Sequence, residues 1–311
     1  MDPATVARLA RDLRRIGTGL LELSGKGEPT THPEFTRILT SIKEAGLPCS
    51  LITNGTHPPP GLAATAVACG LDRLTLSLNA GSREVHARIS GQDLWERAVT
   101  FLREILEERR RRGWQRPWCR VSYVVCKDNV GDLENLVRLV SDLKADDLLL
   151  CVMGELPETR HLQHDAGDVT RLQQQAEAWG RQLALAGVTH NLQPFIRELP
   201  VRLNAGPVQS NPLQRMVPCY EAWRFSVIGP DGAVVPCCYC EEKVLGNVNE
   251  DGFAAVWEGA RYRDVRRRML AIPKSGHPIC RECFTNCNRA RENLRLHRRL
   301  HPFWRPPAAR G

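Results

Sequence analysis

Apolar positions in the first two-thirds of the chain switch repeatedly between a helical and a strand period. Val6, Leu9, Ala10, Leu13 and Ile16 recur at helical spacing, and the short run Leu20 to Leu23 behind them predicts a strand. Phe35, Ile38, Leu39 and Ile42 form a second stripe ahead of Ser50-Leu51-Ile52, and a short helix near residues 61–69 precedes a strand from Leu74 to Leu78. Val99, Leu102, Ile105 and Leu106 then lead to a strand near residues 119–126, and Leu133, Leu136, Val137 and Val140 lead to Leu148–Val152. One more helix carries Val169, Leu172, Ala176 and Leu183. Strands alternating with helices in this way predict βα units around a parallel sheet, with ligand loops at the C-terminal ends of the strands.

Beyond residue 193 the pattern fades. Pro194 to Pro218 carries five prolines and little periodicity, which predicts a linker. Arg224 to Ile228, a Pro230-Asp231-Gly232 turn and Ala233 to Val235 then predict a hairpin, and two short helices follow near residues 252–270.

Cysteine changes the picture more than any other residue type. Of the 12 in the chain, Cys49, Cys69, Cys119, Cys126 and Cys151 are scattered through residues 1–218, whereas Cys219, Cys237, Cys238, Cys240, Cys280, Cys283 and Cys287 crowd into residues 219–287. No apolar run approaches the roughly 18 residues of a membrane span. Met1-Asp2-Pro3 leads into a charged amphipathic segment and not into a signal-peptide core, so a cytoplasmic location is expected. In a reducing compartment such a crowd of thiols points to metal, catalysis or burial and not to disulfides. The net charge of +8 resides mainly in residues 288–311, which hold seven Arg and one Glu. That reads as a solubilising basic tail and argues against a nucleic-acid groove across the protein. His161/His164 and His297/His301 have helical spacing without a third ligand nearby, and Glu107 to Arg112 is a dense charge run; all read as solvated helix faces.

Three loops follow successive strands: Leu23-Ser24-Gly25-Lys26-Gly27-Glu28-Pro29, Ile52-Thr53-Asn54-Gly55-Thr56 and Ser77-Leu78-Asn79-Ala80-Gly81. The first is not a phosphate loop, because Lys26 lies between the glycines and no Gly-Lys-Ser/Thr follows. The ordered set resembles the radical S-adenosylmethionine (SAM) enzymes over residues 1 to about 190. That resemblance implies cofactor-binding positions at Gly25, Gly27, Glu28, Pro29, Asn54, Ser77 and Asn79, the first three at the methionine amino group and Ser77 and Asn79 near its carboxylate or ribose. The family's catalytic Cys-x3-Cys-x2-Cys is absent from residues 1–218, where Cys119 and Cys126 read as small buried hydrophobes. The expectation is a strand and such a motif upstream of the helix starting at Pro3 or Ala4, or else loss of the chemistry, with catalytic residues unknown and SAM binding weak or absent in this chain.

Cys219-x12-Gly232-x4-Cys237 followed by Cys280-x2-Cys283-x3-Cys287 presents thiolates from a hairpin and a tight turn, a set suited to a tetrahedral metal or an iron–sulfur cube. The spacing resembles the SPASM/twitch extension of radical SAM enzymes, as do Gly229-Pro230-Asp231-Gly232, Val235-Pro236-Cys237-Cys238, Leu245-Gly246-Asn247-Val248 and Val256-Trp257. It implies one auxiliary [4Fe–4S] cluster on Cys219, Cys237, Cys280 and Cys283, with Cys287 the first alternate and Cys238 or Cys240 further ones. A zinc knuckle needs the same thiolates and stays open.

The expected architecture is α/β: a partial (β/α)6 radical SAM barrel lacking its first strand, residues 1–193, then a linker 194–218, a SPASM/twitch iron–sulfur domain 219–287 and a basic C-terminal tail 288–311. The function implied by the resemblance is generation of a 5′-deoxyadenosyl radical for hydrogen abstraction in peptide or protein modification or cofactor maturation. The expected partners are a peptide or protein substrate and a reductant such as a flavodoxin or ferredoxin, with no membrane and no nucleic acid. The competing readings are a non-enzymatic peptide-binding module with an iron–sulfur or zinc site, and a zinc-bearing nucleic-acid binder.

Overall fold

A computed structural model of the chain describes residues 1–153, 157–204, 216–275 and 290–303. It divides into two compact units, Gly17–Gly206 and the combination of Met1–Ile16 with Pro207–Gly311. Helix α1 (Pro3–Arg15) starts where the Asp2 side chain accepts the N–H of Thr5 at 3.0 Å, with Pro3 at the first helical position. Its apolar stripe packs on the helix Phe253–Glu258. The first helix therefore groups with the C-terminal residues, not with the sheet that follows it in sequence as the 1–193 division expected.

The unit Gly17–Gly206 is built on a six-stranded, all-parallel sheet in sequential order β1 to β6. Its elements are β1 (Leu21–Leu23), α2 (Phe35–Glu44), β2 (Cys49–Thr53), α3 (Leu62–Ala68), β3 (Arg73–Ser77), α4 (Arg83–Ser90), α5 (Trp95–Arg111), β4 (Trp118–Val125), α6 (Leu133–Leu143), β5 (Asp147–Val152), α7 (Ala166–Leu185), β6 (Thr189–His190) and α8 (Leu192–Asn204). The expected parallel α/β fold is present. Alternate residues of the central strands, Leu74, Leu76, Cys119, Val121, Tyr123 and Leu148, are buried with the apolar stripes of α2, α3, α5 and α6. Their neighbours Thr75, Ser77, Arg120, Ser122, Leu149 and Cys151 are only half-buried. A parallel sheet covered on both faces would read as continuous apolar strands; alternation on parallel strands marks the second face as the wall of an open, partly polar barrel.

The N-terminal edge of the sheet is closed twice by the same device. Asp72, just before β3, accepts the Cys49 N–H at 2.9 Å and pairs with Lys43. Asp146, just before β5, accepts the Cys119 N–H at 2.7 Å and pairs with Arg109. Arg109 also donates to the Pro117 carbonyl at 2.9 Å and is buried, so the charge run ending α5 is not wholly a solvated face. Its stem lies against the core while Glu108, Arg111 and Arg112 pair outside.

Two further expectations change. The stretch from Pro194 begins inside a helix: Leu192, Phe195, Ile196 and Leu199 are all buried at i, i+3, i+4 and i+7, and Pro194 stands in the first turn, where its missing N–H is harmless. His164 is 6% exposed and hydrogen-bonds the Val125 carbonyl at 3.2 Å, with its pKa held down by burial, so it belongs to the interior and not to a solvated face.

In the second unit, β7 (Val227–Ile228), β8 (Ala233–Val235) and β9 (Gly246–Asn247) form an antiparallel sheet in that order. Gly232 turns at φ +86°, and a Cβ there would come within 2.4 Å of the Asn247 and Asn249 side chains. Both asparagines donate to the Asp231 carbonyl, at 3.1 and 2.9 Å. The Gly-Pro-Asp-Gly and Leu-Gly-Asn-Val segments are thus one structure, a turn locked by amides from the third strand. The helices Glu221–Arg224, Phe253–Glu258, Ala260–Ser275 and Ala290–Leu300 complete the described part of this unit.

Candidate functional site

Because β1, β2, β3 and β4 are parallel neighbours, the loops leaving β1, β2 and β3 lie side by side at the C-terminal edge of the sheet. Glu28 ties the first to the second. Its Oε1 accepts from the Thr30 N–H at 3.0 Å and from the Thr30 and Thr53 hydroxyls at 2.6 Å each, and its Oε2 accepts the Asn54 N–H at 2.7 Å. Thr53 in turn accepts the Gly55 N–H at 3.0 Å. The same carboxylate caps the 3-10 turn Pro29–Thr31, which Pro29 starts. Glu28 therefore acts as a strut that fixes the loop, a role the motif alone did not disclose.

Gly25 and Gly27 are different. Neither has a positive φ, and a Cβ built at either meets no protein atom within 4 Å. Neither backbone strain nor packing requires glycine there; what glycine supplies is bare backbone beside the Glu28 strut. Gly55 is required by the fold itself, at φ +67° with the Leu76 side chain 2.6 Å from a built Cβ. Asn54 folds its carboxamide onto the Thr56 N–H at 2.9 Å and hydroxyl at 2.7 Å.

The third loop is held from β4. Asn79 Oδ1 accepts the Val124 N–H at 2.9 Å, filling a ladder position where β3 has already ended. Asn129, 1% exposed, donates to the carbonyls of Asn79 at 3.0 Å and Val124 at 2.9 Å and accepts the Cys126 N–H at 2.7 Å. Asp132 Oδ2 accepts the N–H groups of Gly81 and Ser82 at 2.6 and 2.9 Å, and a Cβ at Gly81 would lie 2.2 Å from the Leu136 nitrogen. Ser77 pairs in register with Ser122 on the half-buried face. Asn129 and Asp132 were missed by sequence reasoning, since they act some 50 residues away from the loop they hold.

In the second unit the hairpin brings thiols together. Cys237 is buried and Cys238 exposed; hydrogen bonding with the Cys238 thiol, then burial, then the charges of Cys238 and Cys219 push the Cys237 thiol far up. The Cys237 thiol is thus raised by neighbouring thiols as well as by burial. Cys240 is buried beside them in sequence, its N–H on the Cys237 carbonyl at 3.0 Å. Cys280, Cys283 and Cys287 lie outside the described residues, and among the described ones no three His, Cys, Asp or Glu side chains converge as a metal site. The scattered thiols behave otherwise: burial pushes Cys49 and Cys119 up to about 12, and Cys126 is likewise buried and raised.

Two family patterns match the chain. Residues 1–140 match the radical SAM superfamily, and residues 219–284 match SPASM, an iron–sulfur cluster-binding domain. The chain belongs to the radical SAM/SPASM family. This radical SAM/SPASM chain is 25% identical over 286 residues, 85% of its length and 73% of the relative's, to the tungsten-containing aldehyde ferredoxin oxidoreductase cofactor-modifying protein of Pyrococcus furiosus. It is 30% identical to the PqqA peptide cyclase of Ruegeria pomeroyi over 49% of the chain and 39% of that protein. Among solved structures it shares its fold with Streptococcus suis SuiB bound to S-adenosylmethionine, with a TM-score of 0.61 at 15% identity, over 88% of this chain and 64% of that one. SuiB has also been solved with its precursor peptide SuiA. The cofactors of the two domains are [4Fe–4S] clusters and S-adenosylmethionine.

Among the described residues, no helix is long and apolar enough to cross a membrane.

Proposed function

We propose that the chain is a SAM-binding, one-cluster iron–sulfur protein that works on a peptide or a cofactor precursor. When bound, the auxiliary cluster would supply one-electron transfer. Radical chemistry on S-adenosylmethionine would need the Cys-x3-Cys-x2-Cys cluster that residues 1–218 lack, so any binding here rests on the loop itself. The chain's own part begins at Gly25 and Gly27, where a built Cβ meets no protein atom within 4 Å and the exposed backbone could approach the methionine end of the ligand. Glu28 holds that loop in register with the end of β2, and Asn79 with Asn129 holds the loop after β3. Thr75, Ser77 and Ser122 line the half-buried face that would meet the rest of the ligand and keep bulk water from it. Cys219 and Cys237, with Cys280 and Cys283, would hold the auxiliary cluster. The SPASM match begins at Cys219 and ends one residue beyond Cys283, in keeping with that set.

A peptide partner is supported by the relatives that carry peptides in their names, PqqA peptide cyclase and SuiB with SuiA. A small electron-transfer protein would supply the reducing equivalents. The non-enzymatic module draws no support from these relatives.

The bare glycines carry the SAM assignment, and they make it testable. Gly25→Val with Gly27→Val should leave the fold intact, because a Cβ at either position meets no protein atom within 4 Å and neither has a positive φ. Calorimetry should show S-adenosylmethionine binding at least about tenfold weaker than in the parent chain, the equivalent of about 1.4 kcal/mol. Unchanged affinity in the double variant would remove the loop from the site.

A further inference from the structure

We propose that Asn293, on the C-terminal helix Ala290–Leu300, is a positioning residue that hydrogen-bonds the sulfur of Cys219 and thereby raises the reduction potential of the auxiliary cluster. The inference rests on the reading of Cys219 as a cluster ligand.

The basic helix reads in sequence as a solubilising tail, yet one face of it is docked. Asn293 is 5% exposed and His297, one turn later on the same face, is 7% exposed. Together they grip Tyr220, the neighbour of Cys219: Asn293 Oδ1 accepts the Tyr220 N–H at 2.9 Å, and the Tyr220 hydroxyl and His297 Nδ1 share a hydrogen bond of 2.7 Å. Arg224 pairs with Glu292 at 3.0 Å alongside. Only the outer positions, such as Arg295, Arg298 and Arg299, fit the solvated reading.

The grip fixes which way the Asn293 amide points. Were it flipped, its NH2 group would face the Tyr220 N–H, donor against donor. With Oδ1 on Tyr220, Nδ2 donates to Cys219 Sγ at 3.8 Å. A buried asparagine in a helix has poor helical propensity and a desolvation penalty, so packing alone would favour an apolar residue. Its polarity is explained by the two groups it serves, one backbone N–H and one sulfur. An N–H aimed at a ligand thiolate stabilises negative charge on it. A reduced cluster carries one more negative charge than an oxidised one, so such a donor favours the reduced form, and it does so more strongly where water is excluded. The tail helix thus sets how readily the cluster takes an electron.

The test uses the full chain, reconstituted anaerobically, with iron and sulfide counted and the cluster titrated potentiometrically by electron paramagnetic resonance. Asn293→Asp keeps an acceptor for Tyr220 but replaces the donor with a carboxylate oxygen, Asn293→Leu removes both functions, and Asn293→Gln retains a donor. The Asp and Leu variants should lower the potential so that, at the parent's midpoint, the reduced-to-oxidised ratio falls about tenfold, which for a one-electron couple is about 59 mV. The Gln variant should shift less. Loss of the cluster from Asp and Leu but not from Gln would overturn the tuning role, since the amide would then hold the cluster and not set its potential. Unchanged potentials, equal shifts in Leu and Gln, or loss of the cluster from all three would overturn the proposal and leave Asn293 a packing role. A parent chain that holds no iron would instead refute Cys219 as a cluster ligand, an outcome visible before any variant is made.

Discussion

The cysteines of the two units differ in what surrounds them. Cys49 at the start of β2 and Cys119 in the second position of β4 each place the backbone N–H on an aspartate and the thiol in the core, and burial, helped by the nearby aspartate charge, lifts them to about 12. Cys237 is lifted first by another thiol and only then by burial. The first kind is a small hydrophobe whose ionisation burial opposes; the second has other thiols beside it, as the proposed cluster ligation requires. Burial by itself therefore says little about whether a thiol has chemistry, and the company it keeps says much more.

The contrast is broken most severely by single alanine substitutions. Cys219→Ala, Cys237→Ala, Cys280→Ala or Cys283→Ala should each abolish cluster assembly, read as iron and sulfide per chain. Cys49→Ala and Cys151→Ala should leave it at the parental level. A cluster that survives Cys237→Ala would merge the two classes.

A smaller effect sharpens the same contrast from the side of the first unit, whose buried polar groups Asn129 and Asp132 hold loops. Asn129→Ala strands the carbonyls of Asn79 and Val124 and the Cys126 N–H. The expected cost is about 2–4 kcal/mol of unfolding free energy in denaturant titrations, with cluster content unchanged in the folded fraction. A loss below about 0.5 kcal/mol would mean that the loop after β3 is held by something else.

The smallest effect is in alkali. Cys49 and Cys119 have folded-state values raised from 9 to about 12, so the unfolded chain releases those protons first. Their contribution is complete below about pH 9 and is lost as the pH climbs from 9 toward 12. In the double variant Cys49→Ala/Cys119→Ala the fall of stability over that window should be shallower than in the parent. An identical slope would show that these thiols ionise without penalty.

Much of this arrangement was legible in the sequence where a period carried it. The strands β1 to β5 and the long helices follow apolar stripes that no other structure would bury. The helix α4 buries no residue, so no stripe announces it, and β6 has two residues, too few for a period. Pro194 hid α8 although Leu192, Phe195, Ile196 and Leu199 spelled out its face. The three loops at the sheet edge were found through their motifs, but the residues that hold them were not. Thr53 reaches Glu28 across 25 positions, Asn129 reaches Asn79 across 50, and Asn293 reaches Tyr220 across 73. Hydrogen bonds of that kind leave no local pattern, and polar residues one helical turn apart, as in Asn293 and His297, look the same in sequence whether they face water or a neighbour.

The central claim is that the thiols around Cys219 and Cys237, completed by Cys280 and Cys283, hold one [4Fe–4S] cluster. Metal and sulfide analysis of the full chain after anaerobic reconstitution in the presence of both iron and zinc tests it most directly. The expected result is about four iron and four sulfide per chain with no retained zinc, accompanied by broad visible absorption. One zinc per chain with neither iron nor sulfide would contradict it and make the C-terminal unit a zinc knuckle.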